Sequence, residues 1–247
     1  MEVISTSLSD RIEGAVAALD FEKISREYWE QDEFVFIPHC LSTSALSSLI
    51  DDVERLTPKI NRNYIPFHKK GGSVSYFSIC EEGPALLGLY RSTALCQFLS
   101  RLVRTELKLC PADDPHACAL YFYTEAGDHI GYHYDTSYYQ GVRYTVLIGL
   151  VDESSSRLLC HLYTRQSGRA VQKLSITTTP GSMVIFNGDK VYHAVSPLQA
   201  GERRIVLTLE YVTHQQMGRM KRIFSNLKDS FAYFGLSALW QSWKSGK

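Results

Sequence analysis

The spacing of apolar residues divides the chain into a helical first part and a strand-rich second part. Apolar residues recur near a 3.6-residue period over 8–31 and over 84–107, which predicts a helix in each range. Between these ranges, a β-branched and aromatic run at 33–38 predicts a strand, and Ser42 precedes a further helical pattern as a candidate N-cap. Residues 57–83 follow neither period, so we expect an irregular, variable loop there.

The pattern changes at residue 118, where short apolar runs separated by turn residues begin. Asp152–Ser156 has turn chemistry and lies between two such runs, which predicts a hairpin. About seven short strands at this spacing favour a barrel or a jelly roll. The clearest predicted strands cover residues 119–124, 143–151, 157–163, 183–186, 191–195 and 203–212.

Helical spacing returns near the C-terminus, over 219–240, and predicts a helix packed outside the sheet. There is no repeat and no linker rich in proline, glycine or serine, so we expect a single domain over 1–247. Its predicted parts are a helical portion at 1–117, a jelly-roll core at 118–212 and a helical tail at 213–247.

The charge balance excludes partners that are recruited by bulk charge. Lys and Arg total 26, as do Asp and Glu, so nothing indicates binding to nucleic acid or to a membrane surface. Apolar runs stay short of the roughly 18 residues of a membrane-spanning helix, and the N-terminus does not resemble a secretory signal. Six cysteines without a C-x-x-C pair are typical of reduced thiols. We therefore expect a cytoplasmic protein, whose oligomeric state the sequence does not indicate.

The candidate chemistry centres on His133-Tyr134-Asp135 and on His193. Residues i and i+2 of an extended strand point to the same side, so His133 and Asp135 could bind one metal ion together. Two imidazoles and one carboxylate form the facial triad of iron(II) sites, which leaves coordination positions open for oxygen chemistry. Two histidines alone would more often be core residues. The surrounding motifs therefore decide the interpretation.

Those motifs, in this order and spacing, resemble 2-oxoglutarate-dependent iron(II) oxygenases of the prolyl-4-hydroxylase-like and phytanoyl-CoA-hydroxylase-like groups. They are Gly127-x5-His133-x-Asp135, Pro180-Gly181-x4-Phe186, His193-x3-Pro197 and Gly201-x-Arg203-Arg204. The resemblance implies a mainly β fold with flanking helices, the double-stranded β-helix or cupin-like jelly roll. It also implies that His133, Asp135 and His193 hold the catalytic iron, with 2-oxoglutarate and O2 as co-substrates.

The same resemblance implies an arginine for the distal carboxylate of 2-oxoglutarate, ten or eleven residues after the second histidine. Arg203 and Arg204 both qualify, but strand alternation lets only one point inward. The residues that alternate with Arg203 are all apolar and suit a face packed under helices: Ile205, Leu207 and Leu209. We therefore favour Arg204, with Thr208, Tyr121 or Tyr123 as candidates for a supporting hydrogen bond.

Candidate substrate residues come from two further segments. Tyr138, Tyr139 and Arg143 follow the triad closely and are expected at the pocket mouth, where Arg143 could meet a substrate carboxylate. His68 lies in the basic, aromatic stretch at 62–73, which resembles the variable lid of the family and could meet an anionic group on a substrate.

The resemblance implies oxidation of an unactivated C–H bond, most simply hydroxylation, with succinate and CO2 as co-products. A free amino acid or a secondary metabolite of a biosynthetic route is the expected small-molecule substrate. The Gly-Gly-Glu-Thr stretch of prolyl hydroxylases is replaced by 150–157, which disfavours peptidyl proline, and Asp135 points away from halogenation. The alternatives are desaturation or cyclisation at the same iron, a protein- or peptide-directed hydroxylase, and a non-catalytic metal-binding jelly roll.

Overall fold

The structure is a computed structural model that describes residues 7–216 apart from 136 and 138. The helix predicted at 219–240 therefore lies outside the described residues. Within this part of the chain, none of the helices is both long enough and apolar enough to cross a membrane. All six cysteines are described, and each is a free thiol.

The N-terminal portion contributes helices that cover one face of the sheet. Its first elements are α1 (Leu8–Ala17), α2 (Phe21–Glu30), β1 (Phe34–Ile37) and α3 (Thr43–Leu56). The prediction of a single helix over 8–31 is wrong in one respect, because the range contains two helices. Asp20 caps the start of the second by accepting a hydrogen bond from the Lys23 amide at 3.1 Å. The Ser42 cap is confirmed, since its hydroxyl accepts from the Ala45 amide at 3.3 Å.

Residues 57–83, predicted to be an irregular loop, instead form a hairpin and a helix. After a short 3-10 turn come β2 (Asn61–Ile65), β3 (Lys69–Val74) and α4 (Tyr76–Glu82). The strand β3 was not predicted because it contains Gly71 and Gly72, and glycine is a poor strand former. Their lack of side chains is what allows close packing: a Cβ on Gly72 would lie 2.6 Å from the Ile60 side chain and 3.3 Å from that of Phe122.

The range 84–107, predicted as one helix, also divides. It contains α5 (Pro84–Tyr90) and α6 (Thr93–Val103), separated where Ser92 accepts a hydrogen bond from the Leu95 amide at 3.2 Å. A serine N-cap thus interrupts an apolar periodicity that continues across the break.

The remaining elements are strands, and their pairing confirms the predicted jelly roll. They are β4 (Lys108–Leu109), β5 (Cys118–Tyr123), β6 (His129–His133), β7 (Arg143–Glu153), β8 (Leu158–Leu162), β9 (Gln172–Ile176), β10 (Met183–Asn187), β11 (Tyr192–Val195) and β12 (Arg203–Val212). The strands pair antiparallel in the order β1-β10-β7-β12-β5-β3-β6-β11-β8-β9, with β2 on β3 and β4 on β12. The sheet curls, so that apolar residues of its two halves share one interior cluster.

The hairpin predicted around Asp152–Ser156 is wrong. β7 pairs with β10 and β12, whereas β8 pairs with β9 and β11, so the turn leads the chain from one half of the sheet to the other. Turn residues show that the chain reverses, but pairing partners are chosen by long-range packing. The edge strand β9 was not predicted, since most of its residues are polar and exposed.

Strand alternation along β12 separates the two cores of the protein. Ile205, Leu207 and Leu209 pack into the cluster formed with the helices. Arg204 and Thr208 belong to the opposite face and line a cavity inside the curled sheet. The face assignment inferred from the sequence therefore holds along this strand.

Candidate metal centre

Two histidines and one aspartate converge at the open end of the curled sheet. His133 ends β6 and lies directly opposite His193 of β11, while Asp135 follows two residues after β6. The His133 Nε2 is 3.3 Å from one carboxylate oxygen of Asp135, and the His193 Nε2 is 3.7 Å from the other. One ligand atom from each of the three residues lies within 4.8 Å of the others. These distances are compatible with three ligands around one metal ion.

Backbone carbonyls orient both imidazoles. The His133 Nδ1 lies 2.9 Å from the Gly131 carbonyl oxygen, and the His193 Nδ1 lies 3.2 Å from that of Val191. A carbonyl can only accept, so each Nδ1 carries the proton and each Nε2 keeps its lone pair for a metal. Burial lowers the pKa of His193 to about 4, against the opposing effect of Asp135. His193 is therefore neutral at pH 7, the form that binds metals.

Asp135 is ionised and held in place. Burial alone would raise the pKa of Asp135, but His193, His133 and the Arg143 charge together lower it well below its usual value. The Thr145 hydroxyl donates to the Asp135 carboxylate at 2.9 Å. Threonine thus fixes the orientation of the one anionic group among the three.

Gly188 provides the space that Asp135 needs. A Cβ on Gly188 would lie 2.7 Å from the backbone oxygen of Asp135 and 2.8 Å from its Cβ, closer than real Cβ atoms come. The glycine belongs to the turn between β10 and β11. Its role here is close approach of two backbones.

We expect Gly188→Ala to weaken metal binding by about 10-fold to 100-fold, the range typical of changes that displace a metal ligand without removing it. The measurement is titration of the metal-free protein with Co(II), followed by its visible absorption. Gly14→Ala is the matched control, because a Cβ there meets nothing within 4 Å. Unchanged affinity in the Gly188 variant would show that Asp135 does not depend on this contact.

The triad opens into a cavity of about 180 Å³ inside the curled sheet. Its far end holds Arg204, which is 1% exposed. The Arg204 Nε donates to the Thr178 hydroxyl at 3.1 Å, and its guanidinium lies 5.2 Å from the centre of the Tyr123 ring. Neither terminal guanidinium nitrogen has a hydrogen-bond partner among the described residues. Buried donors without partners are costly, so this arrangement suits an incoming carboxylate.

Arg203, the other candidate, lies outside the cavity. It is exposed and pairs with Glu153 on β7, with 3.3 Å between the Nε and a carboxylate oxygen. Thr178, which aims Arg204, was missed by sequence reasoning because nothing in the local pattern distinguishes it from its threonine neighbours. The structure thus separates the two arginines as alternation along β12 suggested.

The three candidates for a supporting hydrogen bond all line the cavity: Tyr121, Tyr123 and Thr208. The Tyr121 hydroxyl lies 3.2 Å from the His116 Nδ1. Burial raises the pKa of Tyr123 to about 12, although the Arg204 charge acts in the opposite direction, so its hydroxyl keeps its proton at pH 7.

Arg143 also reaches the cavity, but it forms an ion pair there. Its Nε donates to Glu210 at 2.8 Å, and the Thr145 hydroxyl lies 3.1 Å from the same carboxylate oxygen. Burial raises the pKa of Glu210 to about 7, against the lowering effect of Arg143. Glu210 lies on the same face of β12 as Arg204, but no signal in the sequence indicated a role for this residue. Its link through Thr145 to Asp135 appears only in three dimensions.

The predicted residues of the pocket mouth are not all brought together. Tyr139 is buried in the helix-side core, where its hydroxyl donates to Asp114 at 2.5 Å, so the structure does not place it in the cavity wall. Proximity in sequence to the triad misled the prediction, because the Tyr139 side chain packs into the helix-side core. Tyr138 lies outside the described residues.

The basic hairpin β2–β3 contacts the triad through His68. The His68 ring lies 5.9 Å from the His133 ring, and its carbonyl accepts from the Gly131 amide at 2.6 Å. Two cations of the stretch at 62–73, which was expected to meet an anionic group, bind within the protein instead. Arg62 binds the buried Asp128 at 2.7 Å, and Lys70 donates to the Ala126 carbonyl at 2.7 Å.

Solved structures with a similar fold include non-haem alpha ketoglutarate dependent enzymes. No protein-family model and no curated protein matches the sequence. The epimerase SnoN in complex with Fe3+, alpha ketoglutarate and nogalamycin RO shares 13% identity, with a TM-score of 0.67 over 83% of this chain and 89% of that one. The alpha ketoglutarate dependent carbocyclase SnoK shares 14%, with a TM-score of 0.64 over 84% and 92%. A Pseudomonas putida prolyl-4-hydroxylase shares 14%, with a TM-score of 0.57 over 79% and 99%. At these identities the likeness shows a common fold.

Proposed function

We propose that this protein is an iron(II)- and 2-oxoglutarate-dependent dioxygenase that oxidises an unactivated C–H bond of a small molecule. The proposal is supported by one observation: a candidate metal site and a candidate carboxylate-binding residue line the same cavity. One is the triad of His133, Asp135 and His193. The other is Arg204, whose two terminal nitrogens are buried and have no partner among the described residues. A metal with open positions and a carboxylate receptor are what 2-oxoglutarate needs at its two ends.

The residues have separate tasks in this proposal. His133 and His193 offer Nε2, and Asp135 offers a carboxylate oxygen held by Thr145. Arg204, aimed by its bond to Thr178, receives the distal carboxylate of 2-oxoglutarate. When bound, iron(II) and 2-oxoglutarate supply the oxidising chemistry, which consumes O2 and releases succinate and CO2.

Apolar side chains form part of the wall of the cavity that contains the triad and Arg204. Where such side chains reduce the access of water, they would strengthen the pairing of Arg204 with a carboxylate. The apolar residues that line the cavity are Ile130, Leu147, Leu158, Val195 and Val206.

The size of the cavity supports a small substrate that enters only in part. At about 180 Å³ it is smaller than the roughly 300–1,000 Å³ of typical ligand sites, and the co-substrate would occupy much of it. The reacting end of a substrate would therefore lie near the triad, with the remainder at the mouth beside His68. Arg143 could still contact an anionic group, but Glu210 already offsets its charge.

Hydroxylation is the simplest outcome, and Asp135 supports it over halogenation because the carboxylate is present to fill the third ligand position. The epimerase SnoN and the carbocyclase SnoK have the same fold. The fold is therefore compatible with other outcomes at the same site, and desaturation or ring formation would use the same residues.

The proposal is tested with metal-free protein supplied with Fe(II), 2-oxoglutarate and O2, following succinate by NMR. We expect slow succinate formation without substrate and faster formation with a member of a panel of free amino acids and polycyclic metabolites. Protein loaded with Zn(II) is the control, because Zn(II) can occupy the site but has no redox chemistry. Succinate that rises only with proline-containing peptides would indicate a peptide hydroxylase. No succinate and no 2-oxoglutarate binding would contradict the proposal and favour a non-catalytic module.

A further inference from the structure

A strained acidic pair joins α2 to β1. Asp32 and Glu33 have φ angles of 59° and 62°, in the left-handed region that residues with a Cβ seldom occupy. Both are buried, at 6% and 8% exposure, although a buried carboxylate is costly unless it is bonded. Such strain persists where the surrounding contacts over-determine the conformation.

The contacts that hold Glu33 come from Asn187, at the end of β10, and from Lys190, in the turn that follows. The Glu33 carbonyl accepts from the Asn187 backbone amide at 3.0 Å. Its carboxylate accepts from the Asn187 side-chain amide at 2.7 Å and from the Lys190 ammonium at 2.6 Å. The neighbouring Asp32 carboxylate lies 4.0 Å from the same ammonium, but it accepts its hydrogen bonds from the Tyr163 amide and the Gln166 side chain, after β8. We call Glu33, Asn187 and Lys190, together with Asp32, the acidic clamp.

The turn held by the clamp also contacts two of the three triad residues. Gly188 approaches Asp135 so closely that an added Cβ would lie 2.7 Å from the Asp135 backbone oxygen. The Val191 carbonyl is the acceptor that orients His193 through its Nδ1. A shift of this turn would therefore displace the Asp135 carboxylate and rotate the His193 ring.

We propose that Glu33 is a positioning residue for the metal centre, acting through Lys190 and Asn187 on the turn that sets Asp135. The inference rests on the proposed metal site. The competing view is that the clamp only fastens α2 to the sheet. In that case its loss would lower stability and leave metal affinity unchanged.

The test uses Glu33→Gln, which keeps the shape of the side chain and removes the charge facing Lys190. Metal-free protein is titrated with Co(II) alone, well below the unfolding temperature, and the visible spectrum reports both affinity and ligand geometry. We expect about 10-fold weaker binding and an altered Co(II) spectrum. Lys190→Met removes the same ion pair from a side chain that is 41% exposed, so folding is at less risk, and it should act in the same direction.

Asp52→Asn is the matched control. Asp52 is also buried, at 2% exposure, and accepts hydrogen bonds from the Ala85 and Leu86 amides at the start of α5, away from the triad. The Asp52→Asn variant should lower the thermal midpoint of unfolding without changing the affinity for Co(II).

Wild-type affinity and spectrum in both clamp variants would overturn the inference and leave the metal site standing. A wild-type protein that binds no Co(II) would overturn the metal site and the clamp together. The two failures are distinguishable, because the second is seen before any variant is made.

Discussion

Asp135→Ala should abolish 2-oxoglutarate turnover while the protein stays folded. Asp135 is the only anionic member of the triad, and its carboxylate lies between the two Nε2 atoms. Loss of outer partners of a metal ligand typically costs about 10-fold to 100-fold, so loss of the ligand itself should exceed that range. The measurement is succinate formation by Fe(II)-loaded protein, with circular dichroism to confirm the fold.

Glu153→Ala is the control for this experiment. Glu153 is an exposed acid of β7 that pairs with Arg203 outside the cavity, so removing it changes the net charge equally without reaching the metal. Its turnover should match the wild type. If the Asp135 variant formed succinate at the wild-type rate, the assignment of the triad would be wrong.

Arg204→Met should raise the 2-oxoglutarate KM by roughly 100-fold. Hydrogen bonds to charged groups contribute roughly 1.5–3 kcal/mol each, so two such bonds to one carboxylate account for an effect of at least this size. Methionine keeps much of the side-chain volume in the buried site. The KM from succinate formation and the affinity from calorimetry should change together.

The same variant makes a second, opposite prediction about stability. Without 2-oxoglutarate, Arg204 is a buried charge with two donors that have no partner among the described residues. Replacing such a charge by an apolar residue is often neutral or stabilising. The thermal midpoint of ligand-free Arg204→Met should therefore equal or exceed that of the wild type, which separates weak binding from poor folding.

Arg203→Met is the control, because it removes an exposed cation from the same strand. Its KM for 2-oxoglutarate should remain within about two-fold of the wild type, since exposed ion pairs contribute little. A larger rise with Arg203→Met than with Arg204→Met would reverse the assignment of the two arginines.

The different positions of Arg203 and Arg204 show how much of a site can be predicted from strand alternation. Alternate residues of β12 face opposite sides, and one set is apolar throughout, so its direction follows from local geometry and burial. The same reasoning placed His133 and Asp135 on one side of the chain. The side of a strand that a residue faces can be inferred from the few residues that follow it in the chain.

Other features depend on residues far apart in the chain. Thr178 aims Arg204 from a loop, and Thr145 links Asp135 to Glu210 across two strands. Tyr139, close to the triad in sequence, points into the helix-side core instead. No local pattern could distinguish these cases, because each is settled by packing between distant segments.

The amino-acid sequence by itself determined a strand-rich barrel or jelly roll and the inward face of β12, because periodicity expresses local backbone geometry. The jelly-roll class and the candidate metal ligands were implied by the resemblance of the sequence motifs to a known family. Only the tertiary structure decided that β7 and β8 pair with different partners, that β2 and β3 form a hairpin, and that Glu33 contacts Asn187 and Lys190 beside Asp135. These outcomes arise from long-range pairing and burial, where a residue's neighbours in space are not its neighbours in the chain.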